Sequence, residues 1–411
     1  MLNGRLFLVL GALIMLSSPA LAGTWYVDGV NGDDGNGCKT KATACASIGH
    51  AISLAASGDT IQIAAATYQE NPSIPFNLTL KGAKAANTIV DGTNSLNLFT
   101  VGTGISLTLS NLTIERGVGY SGGGGVDNSG TLIVKNSIFS LNTALSGGAI
   151  LNTGIANISN TSFNGNSPYF FGRSASCGAI DNRSAMTITA STFDTNYANN
   201  NFTSGGAICN GGTLTITRST FSNNSSSGNN AGYGGAILTY AGTLTVTNST
   251  FSGNAATTSG GAIYSEGGTV QVSNSTFGNN PETIGGGGAL SNAGSSVFIQ
   301  NSIVANSANG GNCAGTITSD GYNLSSDSTC AFSGTGDLNH KNPKLGALRK
   351  NGGATQTMAL QTGSPALDAG NPAGCRDFAG NLLTTDQRGL PRPGSGETTG
   401  CDMGAYESQT Y

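Results

Sequence analysis

Apolar and polar residues alternate in a series of short segments along the middle of the chain. In residues 243–247 leucine and valine occupy the second and fourth positions and threonine the others, and residues 213–217 and 269–273 repeat the pattern. A period of two with β-branched residues predicts strands that bury one face, because successive side chains of a strand point to opposite sides. No helical periodicity competes in this part of the chain, so the pattern predicts an all-β protein.

Two short motifs flank these segments and repeat with them. A Gly-Gly-Ala-Ile motif or a close variant begins at residues 123, 147, 177, 205, 234, 260 and 287. A Phe-x-x-Asn motif follows most of the strands, with successive phenylalanines 24 to 30 residues apart. The phenylalanines are Phe139, Phe163, Phe193, Phe221, Phe251 and Phe277. Self-similarity with this period is typical of a solenoid.

Stacking of the repeats explains how such short strands bury their apolar faces. One coil alone exposes its apolar side, whereas identical coils stacked about 4.8 Å apart place isoleucine on isoleucine and phenylalanine on phenylalanine. The repeats therefore predict one single-stranded, right-handed parallel β-helix over residues 23–306. A short amphipathic helix at residues 47–56 is expected to cap its first coil, because a bare solenoid end exposes unpaired backbone.

Asparagine recurs four residues after the second glycine of the Gly-Gly motif, in most repeats. Stacked amides can exchange hydrogen bonds from coil to coil. A ligand-binding role is the alternative. The asparagines recur in many repeats and do not mark one site, however, and this favours the structural role. The asparagines of this column are Asn128, Asn152, Asn182, Asn210 and Asn292.

The N-terminal residues predict export from the cell. A basic residue, an apolar run over residues 6–16 and the Ala20-Leu21-Ala22 segment form the three parts of a signal peptide, with cleavage expected before Gly23. The run is too short for a membrane span, which needs roughly 20 apolar residues. We therefore expect residues 1–22 to be removed and the mature chain to have no transmembrane segment.

Cysteine usage and charge agree with an extracellular protein. The chain has 8 cysteines, and close spacing predicts the bridges Cys38–Cys45, Cys313–Cys330 and Cys375–Cys401. Cys177 and Cys209 are offset by four positions in neighbouring repeats, so an extended chain would hold them apart, and they are expected to be free, buried thiols. Only 9% of residues are charged and no basic cluster occurs, which argues against nucleic acid as a partner. A monomer is expected.

Three families share motifs with this chain. The paired Gly-Gly-Ala-Ile and Phe-x-x-Asn motifs of residues 123–280 resemble the polymorphic outer-membrane protein repeat of chlamydial surface proteins. Residues 25–28, 58–61 and 66–70 are similar to the first coils of pectate-lyase-like β-helices. Residues 307–411 resemble the choice-of-anchor region (Q type) of bacterial surface proteins, in residues 342–346, 351–355, 363–370, 385–389 and 401–407. The resemblances imply a pectate-lyase-like solenoid that is secreted or attached to the outer surface.

Charged residues that could do chemistry are few. Asp127 and Asp181 fall in one predicted column two coils apart, with Arg183 beside Asp181. Hydrolases need two carboxyl groups roughly 5–10 Å apart, and lyases on this fold need a basic residue near carboxylates. Leu151 lies between the two aspartates, however, and solvated surface charges are the competing interpretation. His50 and His340 lack metal-ligand spacing to another histidine or cysteine.

Two other segments contain candidate binding residues. Asp28, Asp33 and Asp34 lie in a glycine-rich loop with Asn31 and Asn36, where oxygen ligands for calcium are concentrated. No acidic residue has EF-hand spacing there, so no cofactor is expected and calcium stays an option. A second segment, residues 167–176, carries Tyr169, Phe170 and Phe171, which could stack on sugars or pack on the coil.

The sequence leaves three functions open. The first is a non-catalytic extracellular protein for adhesion or for binding a polysaccharide or another cell-surface partner, because strand faces rich in serine, threonine and asparagine suit polar partners. The second is a carbohydrate-active enzyme, either a polysaccharide lyase or a glycoside hydrolase. The third is a structural spacer with no specific ligand.

Overall fold

The chain forms a right-handed parallel β-solenoid, which confirms the predicted fold class. The computed structural model describes residues 22–95, 97–168, 177–199, 205–228, 232–284, 286–394 and 400–409. The predicted signal peptide lies outside these residues except for Ala22. Three long parallel sheets, here named A, B and C, run along the rod with 12, 11 and 9 strands, and each coil from residue 99 to residue 305 contributes one strand to each sheet.

The strands of each sheet stack in chain order. Sheet A contains Thr24–Val27, Thr60–Ile63, Leu78–Gly82, Ser106–Ser110, Thr131–Lys135, Ile155–Ser159, Ala185–Thr189, Thr213–Thr217, Thr243–Thr247, Thr269–Ser273, Ser296–Gln300 and Thr318–Ser319. Sheet B contains Ala66–Tyr68, Thr88–Asp91, Thr113–Glu115, Ile138–Ser140, Ser162–Asn164, Thr192–Asp194, Thr220–Ser222, Thr250–Ser252, Thr276–Gly278, Ile303–Ala305 and Leu324–Ser325. Sheet C contains Phe99–Val101, Val126–Asn128, Ile150–Asn152, Ile180–Asn182, Ile208–Asn210, Ile237–Thr239, Ile263–Ser265, Leu290–Asn292 and Cys313–Ala314.

Shorter elements join these sheets. Two small parallel sheets lie in the turns between sheets B and C, and an antiparallel hairpin lies in the C-terminal region. They comprise Val118–Gly119, Thr143–Ala144 and Ser167–Pro168; Tyr197–Asn199, Ser225–Ser227 and Ala255–Ala256; and Leu345–Arg349 with Thr357–Leu360. The helices are the α-helix α1 (Ile48–Leu54) and the 3-10 helices Lys41–Thr43 and Ala85–Asn87.

The predicted interior columns are present. The phenylalanine rings from Phe139 to Phe277 are fully buried and stack with ring centroids 4.5 to 5.0 Å apart and interplanar angles of 3° to 10°. Opposite them, Val126, Ile150, Ile180 and their successors pair in exact register along sheet C. Burying each such side chain contributes about 1.5–3 kcal/mol, so like residues on successive coils build one continuous core.

Two buried asparagine ladders tie the coils together. In the predicted ladder, the Nδ2 groups of Asn128, Asn152 and Asn182 each donate to the Oδ1 of the next asparagine at 2.7 to 2.8 Å. The asparagine of the Phe-x-x-Asn motif forms a second ladder, which the sequence analysis did not identify. There, Asn196 donates to Asn224 Oδ1 at 2.9 Å and also to a phenylalanine carbonyl of the previous coil. The repeated asparagines are therefore structural.

The corners of the coil use left-handed backbone, and the paired glycines serve a different purpose. Asn136, Asn160 and Asn248 turn the chain from sheet A to sheet B with φ between +47° and +51°, which asparagine tolerates better than most residues. The second glycine of the motif is required by close approach instead, because a Cβ on Gly206 would overlap the carbonyl oxygen of Gly235 in the next coil.

The helix α1 caps the first coil, as the sequence predicts for residues 47–56. Ser47 is its N-cap, and its hydroxyl accepts a hydrogen bond from the backbone nitrogen of His50 at 3.1 Å. Ile48, Ala51 and Ile52 are buried on the face that contacts the first two strands of sheet A. The helix thereby covers apolar core that the end of the solenoid would otherwise expose.

Four disulfides are present, and the prediction for one cysteine pair was wrong. Cys38–Cys45, Cys313–Cys330 and Cys375–Cys401 are bonded as predicted. Cys177 and Cys209 are also bonded, with Cα atoms 5.6 Å apart. A chain that was extended before residue 180 would hold the two cysteines apart. The chain turns at residues 178 and 179 instead, so Cys177 lies over the middle of the following strand, where Cys209 pairs with Asp181.

Thiol titration tests this bridge. We expect no reactive thiol in the denatured, unreduced protein, and a peptide containing Cys177 should be recovered joined to one containing Cys209. Closing a loop of 32 residues should stabilise the fold by about 3–4 kcal/mol through the unfolded state. Two thiols per chain under denaturing conditions would contradict the assignment, and the Cys177→Ser/Cys209→Ser variant serves as the control.

The solenoid continues beyond residue 306, and the C-terminal region packs along its side. Cys313–Ala314, Thr318–Ser319 and Leu324–Ser325 still pair in parallel with the preceding coil. The chain then folds back over the outer surface of sheet B. There Thr220 Oγ1 donates to the Gln356 carbonyl at 2.6 Å, and Thr250 Oγ1 donates to Gln387 Oε1 at 2.6 Å.

Buried charges lie at this interface. Arg392 Nε is 2.8 Å from Glu407 Oε2, and neither side chain is exposed to solvent. Arg392 also donates to Asn248 Oδ1 of the solenoid at 3.0 Å. Burial raises the pKa of Glu407 to about 8 although Arg392 lowers it, and burial likewise raises the pKa of Asp402 to about 6. The C-terminal region therefore contains two carboxyl groups that hold protons more tightly in the folded state than in the unfolded state.

The stability of this region should fall as pH rises. Since the pKa values of Asp402 and Glu407 are higher in the folded than in the unfolded state, the folded state binds more protons between about pH 4 and pH 8. Through these two groups the free energy of unfolding should fall by on the order of a few kcal/mol between about pH 4 and pH 8. Denaturation at several pH values measures this. A Glu407→Gln variant should show a flatter profile, and an unchanged profile would refute the role of Glu407.

Candidate functional site

The three sheets differ in what covers their outer surfaces. On sheet B the outward side chains of Thr220, Thr250 and Thr276 are buried beneath the C-terminal region. On sheet C the outward side chains of Leu151 and Leu238 are buried although they do not point into the solenoid. On sheet A, the outward side chains at the first and third positions of the strands have no such cover within the described residues. Those columns form an open surface that extends over more coils than the uncovered part of sheet B, where Ile138, Ser162 and Thr192 are half-buried.

We name this surface the A face and define it by the first and third residues of eight successive strands of sheet A. Each of these residues is exposed or half-buried, and none is charged. Each column contains one residue from each coil, and successive residues of a column lie about 4.8 Å apart. The residues are Ser106, Thr108, Thr131, Ile133, Ile155, Asn157, Ala185, Thr187, Thr213, Thr215, Thr243, Thr245, Thr269, Gln271, Ser296 and Phe298.

The candidate catalytic residues occupy one column of sheet C, as their spacing predicts. Asp127 pairs with Leu151, and Leu151 pairs with Asp181. The Asp181 side chain is 4% exposed and accepts two hydrogen bonds from Arg183, at 2.6 and 2.9 Å. Burial raises the pKa of Asp181 although the Arg183 hydrogen bond lowers it, and burial also raises the pKa of Asp127. Asp181 is thus buried beneath the exposed side chain of Arg183 and paired with it.

Tyr240 lies near this pair, with Glu266 one coil beyond Tyr240, and neither was identified from the sequence. Arg183, Gly211, Tyr240 and Glu266 follow one another at the bend between sheets C and A. Gly211 lacks a side chain, and the space is filled by the ring of Tyr240, which extends towards Arg183. Burial raises the pKa of both Tyr240 and Glu266. In this column of the repeat, Gly211 stands between Arg183 and Tyr240. This order of residues was the signal available in the sequence.

The acidic N-terminal loop does not gather its three aspartates into one site. The Asp28 carboxylate accepts hydrogen bonds from the backbone of Val30 and Asn31, at 2.9 and 3.1 Å. Asp34 accepts from the backbone of Ser47 at 2.9 Å, ahead of α1, and Asp33 accepts from Gly35 at 2.8 Å. These hydrogen bonds fold the loop, so nothing in its geometry supports the calcium option.

The histidines and the aromatic loop add no further site. Cys38, Cys45 and His50 are the one group of potential metal ligands that converges within the described residues, but the two cysteines are joined in a disulfide and offer no thiolate. His340 lies apart from them in the C-terminal region. Tyr169, Phe170 and Phe171 fall outside the described residues. In the part of the chain that is described, no helix has the length and apolar character of a membrane span.

Comparison with known proteins confirms the repeat. The family described as the Chlamydia polymorphic membrane protein repeat matches residues 218–240 and 248–266. These two stretches include Phe221 and Phe251, which stack in the core of adjacent coils. No curated protein matches the sequence of this chain. The resemblance of residues 307–411 to a choice-of-anchor region stays a prediction.

Several solved structures have a similar architecture at low sequence identity. The complex of XylC with xylose is 10% identical, with a TM-score of 0.51 over 93% of this chain and 98% of that one. A rhamnogalacturonan lyase is 11% identical, with a TM-score of 0.45 over 84% and 96%. Pectin methylesterase from carrot is 14% identical, with a TM-score of 0.29 over 68% and 85%. At this level of identity the similarity to XylC concerns the fold alone.

Proposed function

We propose that this chain is a secreted or surface-associated, non-catalytic protein that binds an uncharged polysaccharide along the A face. The observation that carries the proposal is the openness of this face, since the C-terminal region covers much of sheet B and the outward side chains of sheet C are largely buried. Four disulfides and the membrane-protein repeat support an extracellular location. The predicted signal peptide agrees with it.

The chemistry of the A face determines the class of partner. Hydroxyl and amide side chains both donate and accept hydrogen bonds, as sugar hydroxyls do. The absence of charged residues from the face disfavours a polyanion, which would leave its charges uncompensated. Because the same contact repeats at each coil, a linear polymer can engage many coils at once and gain avidity without any single strong contact. An extended neutral glycan meets these conditions.

Binding measurements with matched variants test the proposal. Wild-type protein should bind at least one of xylan, mannan and laminarin in affinity electrophoresis, and bind polygalacturonate less well. The triple variant Thr187→Val/Thr215→Val/Thr245→Val keeps shape and strand propensity but removes three hydroxyls, and it should bind at least ten-fold more weakly. Thr192→Val makes the same change on sheet B and should bind as wild type. Equal binding by both variants would refute the A face as the site.

A second candidate function is hydrolysis of a glycan by Asp127 and Asp181. Two strand spacings place them about 9–10 Å apart, close to the roughly 6.5–9.5 Å of inverting glycosidases. The raised pKa of each carboxyl group favours this alternative, whereas the burial of Asp181 against Arg183 disfavours it. Release of reducing ends from the same polymers, abolished by Asp127→Asn, would establish hydrolysis. If the protein showed neither binding nor turnover, a structural spacer would be the remaining function.

A further inference from the structure

A pocket lies where the last coils of the solenoid meet the C-terminal region. Its volume is about 350 Å³, and its wall includes Gln300 and Asp320 from the solenoid, Tyr322, and Arg376 with Phe378 from the C-terminal region. This volume is at the lower end of the range for small-molecule sites. The pocket thus has room for a ligand of one or two sugar rings, and its wall combines two aromatic side chains with groups that form hydrogen bonds.

The wall of the pocket is held in place by contacts between its two sides. Gln300 Nε2 donates to the carbonyl of Arg376 at 3.1 Å, and the Arg376 guanidinium donates to the carbonyl of Gly380 at 2.8 Å. The disulfide of Cys375 fixes the same segment. Tyr322 occupies the left-handed corner between sheets A and B, with φ of +58°, as Asn248 does in an earlier coil.

The polar groups of the pocket indicate an uncharged ligand with hydrogen-bond donors. The Asp320 carboxylate has no hydrogen-bond or ionic partner within the described ranges, and partial burial raises its pKa. An unpaired carboxylate repels anions and accepts hydrogen bonds from hydroxyl groups. Tyr322 and Phe378 supply ring faces on which the apolar face of a sugar can pack. Carboxylate, amide, guanidinium and aromatic groups together fit a neutral saccharide.

The pocket is continuous with the A face. Gln300 ends the strand Ser296–Gln300, whose Phe298 belongs to the A face, and Asp320 directly follows Thr318–Ser319, the last strand of sheet A. A polymer that runs along the A face towards this end of the rod therefore reaches the pocket where the sheet stops. The C-terminal region forms the side wall of the pocket, where the Arg376 carbonyl accepts hydrogen bonds from Asn274 Nδ2 and Gln300 Nε2.

We infer that this pocket binds the terminal sugar residue of the neutral polysaccharide whose chain lies on the A face. The inference rests on the proposed function and extends it, because the A face alone would not distinguish the end of a polymer from its middle. A protein with both sites recognises chain ends, and it binds short oligosaccharides that are too small to span many coils.

Short and long ligands separate the two sites experimentally. Calorimetry with xylotriose, mannotriose and laminaritriose measures the pocket, and the parent polymers measure the A face. Wild-type protein should bind the trisaccharide of the polymer that it prefers. Phe378→Ala and Asp320→Asn should each weaken trisaccharide binding at least ten-fold and polymer binding less. Leu382→Ala, which removes an exposed apolar side chain from the same region, should change neither.

The possible failures are distinguishable. Trisaccharide binding that is absent, or that Phe378→Ala leaves unchanged, overturns the pocket, while loss of polymer binding in the triple threonine variant still supports the A face. Trisaccharide binding that the triple variant retains and Phe378→Ala loses supports the pocket. If the triple variant also binds the polymer as wild type does, the A face is refuted as the polymer site, whereas the pocket is still supported.

Discussion

Replacing Phe221 by alanine should lower the free energy of unfolding by about 3–5 kcal/mol. The Phe221 ring is fully buried and stacks on both sides, with centroids 4.6 Å from Phe193 and 4.7 Å from Phe251. Its removal leaves a cavity in the middle of a column, and neighbouring coils cannot close the gap because the backbone ladders fix their spacing. Chemical denaturation of the full chain measures the effect.

An exposed apolar residue provides the control for this loss. Ile155 is 52% exposed on the A face, so Ile155→Ala should cost less than about 1 kcal/mol. Similar losses for Phe221→Ala and Ile155→Ala would mean that the phenylalanine column is not the core of the rod. A loss confined to Phe221→Ala is the result expected from stacked coils.

Replacing Arg392 by methionine should detach or destabilise the C-terminal region by about 3–5 kcal/mol. Above about pH 8, where Glu407 is ionised, the substitution leaves its carboxylate buried without a cation, and removing one partner of a buried ion pair has an effect of this size. It also removes hydrogen bonds to the Gly404 carbonyl and to Asn248 of the solenoid. Hydrogen exchange should increase in residues 340–409 and in the strands of sheet B that they cover, while the first coils stay protected.

Arg349 supplies the matched control for Arg392. It lies in the same region, is exposed, and its guanidinium donates to Asn351 at 3.1 Å. Arg349→Met should leave hydrogen exchange across sheet B unchanged. If Arg392→Met behaved in the same way, the C-terminal region would be held by contacts other than this buried pair.

The core of the fold was predictable because each coil repeats the residues of the previous one. The positions of Phe221 and Phe251 in one column, and of Ile150 and Ile180 in another, follow from the repeat alone, since like residues stack in parallel register. The asparagine ladder that includes Asn152 was predictable for the same reason. The repeating part of the sequence thus contains enough information to place side chains inside or outside the rod.

The parts of the structure that do not repeat were not predictable in this way. The bridge between Cys177 and Cys209 depends on a turn whose direction the residue spacing does not reveal. The packing of Gln387 and Arg392 on sheet B joins residues more than 130 positions apart in sequence, with no shared pattern. Which sheet stays open follows from this packing, and the A face therefore became apparent from the structure.

Among the candidate site residues, position was easier to predict than environment. Asp127 and Asp181 occupy the predicted column, but the sequence did not indicate that Asp181 would be buried against Arg183. Asp28 and Asp34 lie in one loop as expected, yet their oxygens accept backbone hydrogen bonds. The pocket around Asp320 is formed by two distant segments, so no local motif marks it.

Hydroxyl-radical footprinting with the polysaccharide that binds most tightly shows whether the A face is the binding surface, because it reports which side chains the ligand covers. Ile155 on the A face and Ile284 in a turn between sheets B and C are 52% and 59% exposed, so both should be oxidised in the free protein. A polysaccharide bound along the A face should protect Ile155 and Phe298 and leave Ile284 unchanged. Protection of Ile284 with no change at Ile155 would contradict binding along the A face.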